Sequence, residues 1–446
     1  MRVGLSGIVF CERIFFPKKI SAPQSAPNNF LVFIKSSFGE VFVVLPMLYF
    51  LKKHRPNIYI TFVFNDSAVY NAIAQVAAYK DVLQSLGQVV VGLHAFIWKV
   101  LMKSHQSEPL YMLTCDNGIE TLQRMALTYF AHPVPIFFHH AYALHINDDQ
   151  NKKQDLHRAY IIGSCVLANN RDDKLHYRAM CFEEKNIFFT GAQGYRDEWL
   201  AKIVCHNPFK TLSEYRKIVF IPIRPPHILY LTESNYQRQL EGLGQAAGQF
   251  RDYLFVIKMH PRQNIDLKLH QLTQSHANII IRDESTLELA AHADLTLSFW
   301  SSAILDSLAV NTPAVEFHYH EVMHSQLVVS HNGKLESLYV NQGFCSSISS
   351  LEELLDVLAR FDVNSNFKIR KENFDDFFGL KISGSILAKV FDDIYIEYTM
   401  SNKRSISIER SRFFRELLKT LLYGLMPNYF FSKFSYLWRG IRRSKN

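Results

Sequence analysis

Cysteine is scarce and poorly spaced for chemistry: six in 446 residues, at 11, 115, 165, 181, 205 and 345, with no CxxC and no Cys/His grouping at zinc-ligand spacing. That excludes a disulfide scaffold and a structural metal as organising devices, and it suits a reducing compartment. Long hydrophobic runs are also missing. "VFVVLPMLYFL" (41 to 51) and "LLYGLMPNYFF" (421 to 431) fall well short of the roughly 20 apolar residues that a spanning helix needs. At the start of the chain, Glu12 and Arg13 interrupt the apolar run before any small-residue cleavage site, which argues against a signal peptide. No internal repeat, low-complexity tract or DxD in a suitable loop is present, and the Asp pairs at 148–149, 172–173 and 392–393 read as loop or helix-end charges. The expectation is a cytoplasmic protein, soluble or lying on the membrane surface.

What the chain does have is charge in one place. The formal net charge is +8, yet residues 401–446 alone hold 11 Lys/Arg against 2 Asp/Glu, so the body before them is close to neutral. In that tail the basic residues alternate with Phe413, Phe414, Leu417, Leu418, Phe430, Phe431, Tyr436 and Trp438. This mixture reads as a segment that lies on an anionic inner-membrane surface, each basic residue adding about 1 kcal/mol near anionic lipid. The other reading is a terminal helix packed on the body with a solvated basic face. Nucleic acid is a poor fit, because the charge is confined to an amphipathic tail rather than spread over a reading surface.

The body alternates strand and helix twice. "FLVFIK" (30 to 35), a helical stretch with Pro46 near its first turn, and "IYITFVFND" (58 to 66) predict a right-handed parallel crossover. "YMLTCD" (111 to 116), "VPIFFHH" (134 to 140), "YIIGSCVLA" (160 to 168) and "NIFFTGAQG" (186 to 194) add further buried strands. After a polar linker at about 200–216 the pattern restarts with "KIVFIPI", "YLFVIKM", "NIIIRD", "DLTLSF" and "AVEF", separated by helices. Continuous apolar strands between helices indicate parallel sheets covered on both faces. The fold class is therefore α/β: two Rossmann-like domains, 1–212 and 213–395, facing across a cleft in the GT-B manner, followed by the tail at 396–446. In such sheets ligands bind outside the carboxyl ends of the strands.

Position, rather than motif, selects the candidate residues. The His-Pro dipeptide occurs twice, near chance, but His260-Pro261 ends an apolar strand, where Pro261 biases His260 away from helix and holds its imidazole at the rim. A strand-end structural histidine is the alternative. Imidazole there could bind or protonate a phosphate. Ser301 and Ser302 follow the strand ending at Phe299 and open a helix, offering two hydroxyls where an N-cap needs one. Asp306, one turn on, could approach the ligand but reads first as an exposed helix carboxylate. Ser285 and Glu288 form an S-x-x-E capping box, while Glu284, on the rim, could hydrogen-bond a ribose or base. Arg224 ends the second domain's first strand as a further phosphate partner.

In the first domain, Asp116 ends a strand and is followed by Asn117 and Gly118, either as a general base facing the cleft or as a turn cap. Gly39 and Glu40 could touch acceptor or base, and His139 and His140 are either rival bases or structural histidines.

"CDNG" (115 to 118), "KMHP" (258 to 261) and "SFWSS" (298 to 302) together resemble the three short motifs of bacterial sialyltransferases and polysialyltransferases. The layout is also similar to capsule polysaccharide biosynthesis proteins and CDP-glycerol glycerophosphotransferases. The resemblance implies Asp116 as acceptor-activating base, His260 as acid or phosphate ligand, and Ser301 and Ser302 as phosphate ligands; the family's second acidic position is Asn117 here. It implies an inverting, metal-independent transferase with no cofactor, moving an acidic sugar from a CMP-activated donor to a cell-surface glycan or glycolipid such as capsule or lipooligosaccharide. A CDP-glycerol, UDP-sugar or GDP-sugar donor is the alternative, and a silent glycan-binding subunit of a capsule-assembly complex is a third reading.

Overall fold

The computed structural model describes residues 26–35, 38–65, 67–92, 109–115, 133–139, 142, 144, 165–179, 182–226, 231–260, 267–299, 301–317, 328–331, 334–361 and 367–401. Asp116, Asn117, Gly118, His140, Pro261 and the basic tail beyond residue 401 lie outside them.

The first domain is built on seven parallel strands: β1 (Asn29–Ile34), β2 (Tyr59–Phe64), β3 (Gln88–Val91), β4 (Leu110–Cys115), β5 (Pro133–Phe138), β6 (Cys165–Ala168) and β7 (Ile187–Phe189). They lie in the order β3-β2-β1-β4-β5-β6-β7. Every residue of β4 and β5 is buried, the pattern of strands covered on both faces. Covering helices among the described residues are α1 (Phe38–His54), α2 (Ser67–Ala74), α3 (Ala77–Leu86), α4 (Arg171–Ala179) and α5 (Asp197–Ile203). Because α1 begins at Phe38, Pro46 falls in its buried interior and not in the first turn, so the helix forgoes one N–H donor there. The stretch 186–194, read as one strand, is extended only over Ile187–Phe189. Gly191 then turns the chain with φ +66, in a position where a Cβ would come within 2.6 Å of the Gly379 carbonyl.

The second sheet repeats the plan. β8 (Lys217–Pro222), β9 (Tyr253–Lys258), β10 (Ile279–Ile281), β11 (Leu295–Ser298) and β12 (Ala314–Phe317) are parallel; so is β15 (Ser346–Ile348), and the order is β10-β9-β8-β11-β12-β15. The crossover helices are α6 (Glu233–Gln249), α7 (Leu267–Ser275), α8 (Thr286–Ala291) and α9 (Ala303–Ala309). A hairpin of β13 (Val328–His331) and β14 (Lys334–Ser337) precedes α10 (Leu338–Asn341), α11 (Leu351–Arg360), α12 (Phe367–Phe377) and α13 (Gly384–Ser401). In both sheets the strand order reverses once, between β1 and β4 and between β8 and β11. Such reversals open a crevice at the carboxyl ends of the strands.

The two units are joined by more than the chain. Helix α13 runs across the boundary, at 395–396, that the sequence places between the second domain and the tail, and it packs on α1 of the first domain. Tyr111 Oη donates to the Phe391 carbonyl at 2.6 Å, and the Arg55 guanidinium bonds the Ala388 carbonyl and pairs with Asp392. Gly384 lets the helix start within van der Waals reach of the Phe50 carbonyl, where a Cβ would sit at 2.9 Å. The first domain's core also continues into Ile304, Leu305 and Leu308 of α9 and Phe374 of α12. Burial of these apolar faces fixes the carboxyl ends of the two sheets toward one another.

Candidate functional site

A cavity of about 440 Å³ lies where those ends meet. Its second-domain wall comes from four strand ends or their following loops. β8 supplies Pro222 and Ile223, β9 supplies Lys258 to His260, the β10–α8 connection supplies Asp283 and Ser285 to Leu287, and β11–α9 supplies Ser301 to Ala303 with Asp306. Phe38, Gly39 and Phe42 of α1, together with Val76, Tyr79, Tyr142 and Tyr195, form the opposite wall. Among the described residues the first-domain wall carries no charged side chain.

His260 is half-buried just beyond β9. Two residues earlier, Lys258 donates from Nζ to the Asp283 carbonyl at 3.1 Å, and burial pulls its ammonium below the usual lysine range. A poorly hydrated cation beside an imidazole favours an anionic ligand. The serine pair divides its work. Ser301 Oγ accepts from the Ala303 N–H at 3.3 Å, and the Ser301 N–H donates to Ser298 Oγ at 3.1 Å, so Ser301 ties down the start of the short α9. Ser302 takes the cap position with no side-chain cap bond, and its side chain lines the cavity. The capping box over Ser285 and Glu288 is present in full, with Ser285 Oγ bonding the Glu288 N–H at 3.2 Å and the Glu288 carboxylate returning to the Ser285 N–H.

Asp306 departs from the expected exposed helix carboxylate. It is half-buried in the cavity wall, where its Oδ1 accepts from Tyr195 Oη of the first domain at 2.9 Å and its Oδ2 from Thr286 Oγ1. Burial pushes its carboxyl up to about 6, against the pull of those two hydrogen bonds. Tyr195 is seated by rings, with centroids at 4.8 Å from Tyr142, 5.7 Å from Phe42 and 5.5 Å from Phe374. The Gly194 N–H donates to Tyr142 Oη at 2.8 Å.

Other candidates stand away from the cavity. Glu284 forms an ion pair with Arg282 at 3.3 Å, and its neighbour Asp283 lines the wall instead. Glu40 is fully buried and accepts the Lys35 N–H at 2.7 Å, while adjacent Gly39 faces the cavity. His139 is buried at the end of β5, its ring 6.3 Å from that of His176. Arg224 lies one residue past the cavity-lining Ile223, with its charge acting on Tyr339. Asp116 comes directly after β4, which pairs with β1 at the first domain's strand-order reversal.

Sequence reading missed Lys258, Thr286 and the aromatic wall, and it favoured an exposed position for Asp306. Asp306 stands one helical turn from Ser302, a spacing visible in the sequence, but its burial depends on Tyr195 arriving from the other domain. Among the described residues, no three His, Cys, Asp or Glu side chains are grouped to hold a metal ion, and no helix is long and apolar enough to cross a membrane.

No protein-family model matches the chain, and no curated protein sequence matches it significantly. Solved structures do match. UDP-GlcNAc 2-epimerase from Neisseria meningitidis bound to UDP-GlcNAc is similar with a TM-score of 0.55 at 10% identity, over 81% of this chain and 99% of that one. The S. aureus MnaA–UDP structure gives 0.52 at 11% identity, over 83% and 96%. The wall teichoic acid polymerase TagF (H548A) gives 0.50 at 15% identity, over 85% and 91%. The fold is GT-B. At these identities the likeness is one of fold, and the GT-B frame accounts for the paired sheets, the cleft and the crossing of α13 back to the first domain.

Proposed function

We propose that the protein is a glycosyltransferase that takes a nucleotide-activated donor in the GT-B cleft and transfers its sugar, without a metal ion, to a hydroxyl of a cell-surface glycan or glycolipid. One observation carries the reading: Lys258 and His260 from the end of β9 and Ser302 from the β11–α9 turn line one cavity, opposite an aromatic wall from the other domain. Lys258, His260 and Ser302 form a donor set for a leaving phosphate, with hydroxyl, imidazole and ammonium in place of a divalent cation. Arg224, one residue past the cavity-lining Ile223, is a further candidate for that phosphate. The aromatic wall suits the apolar face of a sugar ring. Transfer would run as direct displacement with inversion. A carboxylate takes the acceptor proton, and Asp116 is the candidate that the sialyltransferase resemblance names.

For the donor, the motif resemblance favours a CMP-activated acidic sugar. The resemblance to CDP-glycerol glycerophosphotransferases favours CDP-glycerol, and the UDP ligands named for two similar structures favour a UDP-sugar. Membrane attachment through residues 401–446 belongs to the same proposal.

The test is a titration with CMP, CDP, UDP and GDP, followed by incubation with the corresponding activated donors and detection of the nucleotide released with and without acceptor. Tight CMP binding and acceptor-dependent CMP release support the sialyltransferase-like reading. UDP binding without CMP binding removes it. Activity without any acceptor would indicate an epimerase or hydrolase. A silent binding subunit would release no nucleotide and would keep its cellular role after His260→Ala.

A further inference from the structure

Asp306 is held by side chains from both domains, Tyr195 from the first and Thr286 from the second, while lining the cavity itself. Each carboxylate oxygen keeps a further lone pair for a ligand hydroxyl. The titratable groups packed closest to it are phenols: Tyr195 and Tyr142 from the first domain, Tyr79 from α3 and Tyr339 from α10, each held protonated by burial, while Lys258, His260 and Asp283 line the same cavity. On neighbouring α8, Glu288 is engaged in its capping box. Among the described residues no Lys, Arg or His forms an ion pair with Asp306. A carboxylate packed against an aromatic wall without an ion-pair partner is costly to keep, and such carboxylates concentrate where proton transfer is needed.

We infer that Asp306 is the acid–base residue of this cavity, receiving the proton of the acceptor hydroxyl, and that Tyr195 is its positioning residue, supplied by the other domain. The inference rests on the transferase reading and replaces Asp116 in that step. The acceptor oxygen forms a bond to the donor carbon as the bond between that carbon and the phosphate oxygen breaks. The electron pair of the broken bond leaves with the nucleotide phosphate, and the acceptor proton passes to Asp306 and from there to solvent. A carboxyl raised to about 6 is mostly ionised at neutral pH yet holds a proton better than an exposed aspartate, which suits a base working near pH 7. Tyr195 donates to the ionised form and so restrains that rise. Since the bond spans the cleft, the base is set only when the two domains meet.

The experiment compares the full-length protein with Asp306→Asn, Tyr195→Phe and Asp116→Asn. Asp306→Asn should keep its circular dichroism spectrum and bind nucleotide within about threefold, yet lose transfer by about 100-fold or more. In the parent, kcat/KM should fall on the acid side of a limb near pH 6. Tyr195→Phe should move that limb upward and leave the rate at pH 8 to 9 within a few-fold, whereas a merely structural role would lower the rate equally at every pH. The inference is overturned if Asp306→Asn transfers at the parent rate, if Asp116→Asn abolishes transfer while Asp306→Asn does not, or if Tyr195→Phe leaves the limb in place. A parent protein that binds none of the four nucleotides and transfers from no donor overturns the transferase reading itself, and this inference with it, before any variant is measured.

Discussion

The two domains share a strand order and differ in the residues just beyond their strand ends. Both sheets run in the order 3-2-1-4-5-6 when strands are counted within each sheet, the first adding a seventh, and both reverse at one point facing the cleft. At that cleft the second domain presents Lys258, His260, Asp283, Ser302 and Asp306, whereas the described wall of the first presents Phe38, Phe42, Tyr79, Tyr142 and Tyr195. The sheets thus fix only where a site can be. The few residues after each strand decide what it binds, and here they divide a polar, charged wall from an aromatic one.

That contrast can be broken from the polar side first. His260→Ala should lower transfer by about 100-fold to 10,000-fold with the folded state intact, read by steady-state rates beside a melting curve; a rate within a few-fold of the parent would remove the imidazole from the chemistry. Lys258→Met, which keeps most of the packed stem, should weaken binding of a nucleoside phosphate by about tenfold to 100-fold, as expected for a charge-assisted hydrogen bond worth about 1.5–3 kcal/mol, with little effect on binding of the unphosphorylated nucleoside. Calorimetry on the two ligands separates these outcomes.

A subtler difference lies within the serine pair. Ser301→Ala removes the hydroxyl that bonds the Ala303 N–H and should cost about 0.5–1 kcal/mol of stability. Ser302→Ala should leave the melting temperature in place and weaken phosphate binding several-fold, because its hydroxyl caps nothing. If both variants behave alike, the division of labour between the serines is wrong.

The smallest expected effect concerns pH and a buried carboxyl on the next-to-last strand of the second sheet. Glu316 on β12 is fully buried and takes a hydrogen bond from Ser337, yet burial raises its carboxyl to about 7. A carboxyl whose folded value lies above its unfolded one stabilises the fold fully below the unfolded value, and that contribution is lost as pH rises through the folded one. The window runs from about pH 4.5 to about pH 7. Glu316→Gln should therefore flatten part of the fall in melting temperature between pH 5 and pH 8; an unchanged slope would place the titration elsewhere.

Much of this architecture was legible because buried parallel strands leave a strong trace. "YLFVIKM" and "KIVFIPI" are apolar on both faces and bounded by polar turns, and they occupy adjacent central positions of their sheet. The ends of those strands are also legible, which is why His260 and the serine pair could be placed on the cleft from chain order alone. Short or half-exposed pieces were less visible: β3, only four residues long, and the β13–β14 hairpin carry too few apolar positions to announce themselves. Glu284 shows the limit for rim residues. Sequence gives the rim, but whether a side chain turns inward depends on a competing ion pair, and Arg282 takes this one.

The sequence by itself determined two parallel α/β sheets, the neutral body with its basic tail, and the strand ends that carry His260, Ser301 and Ser302, because all of these stem from local periodicity and chain order. Only the tertiary structure decided that α13 belongs against α1, that Tyr195 reaches Asp306, and that an aromatic wall faces the polar one. Those contacts join residues more than 100 positions apart, and no local pattern encodes a hydrogen bond whose donor and acceptor sit on different domains.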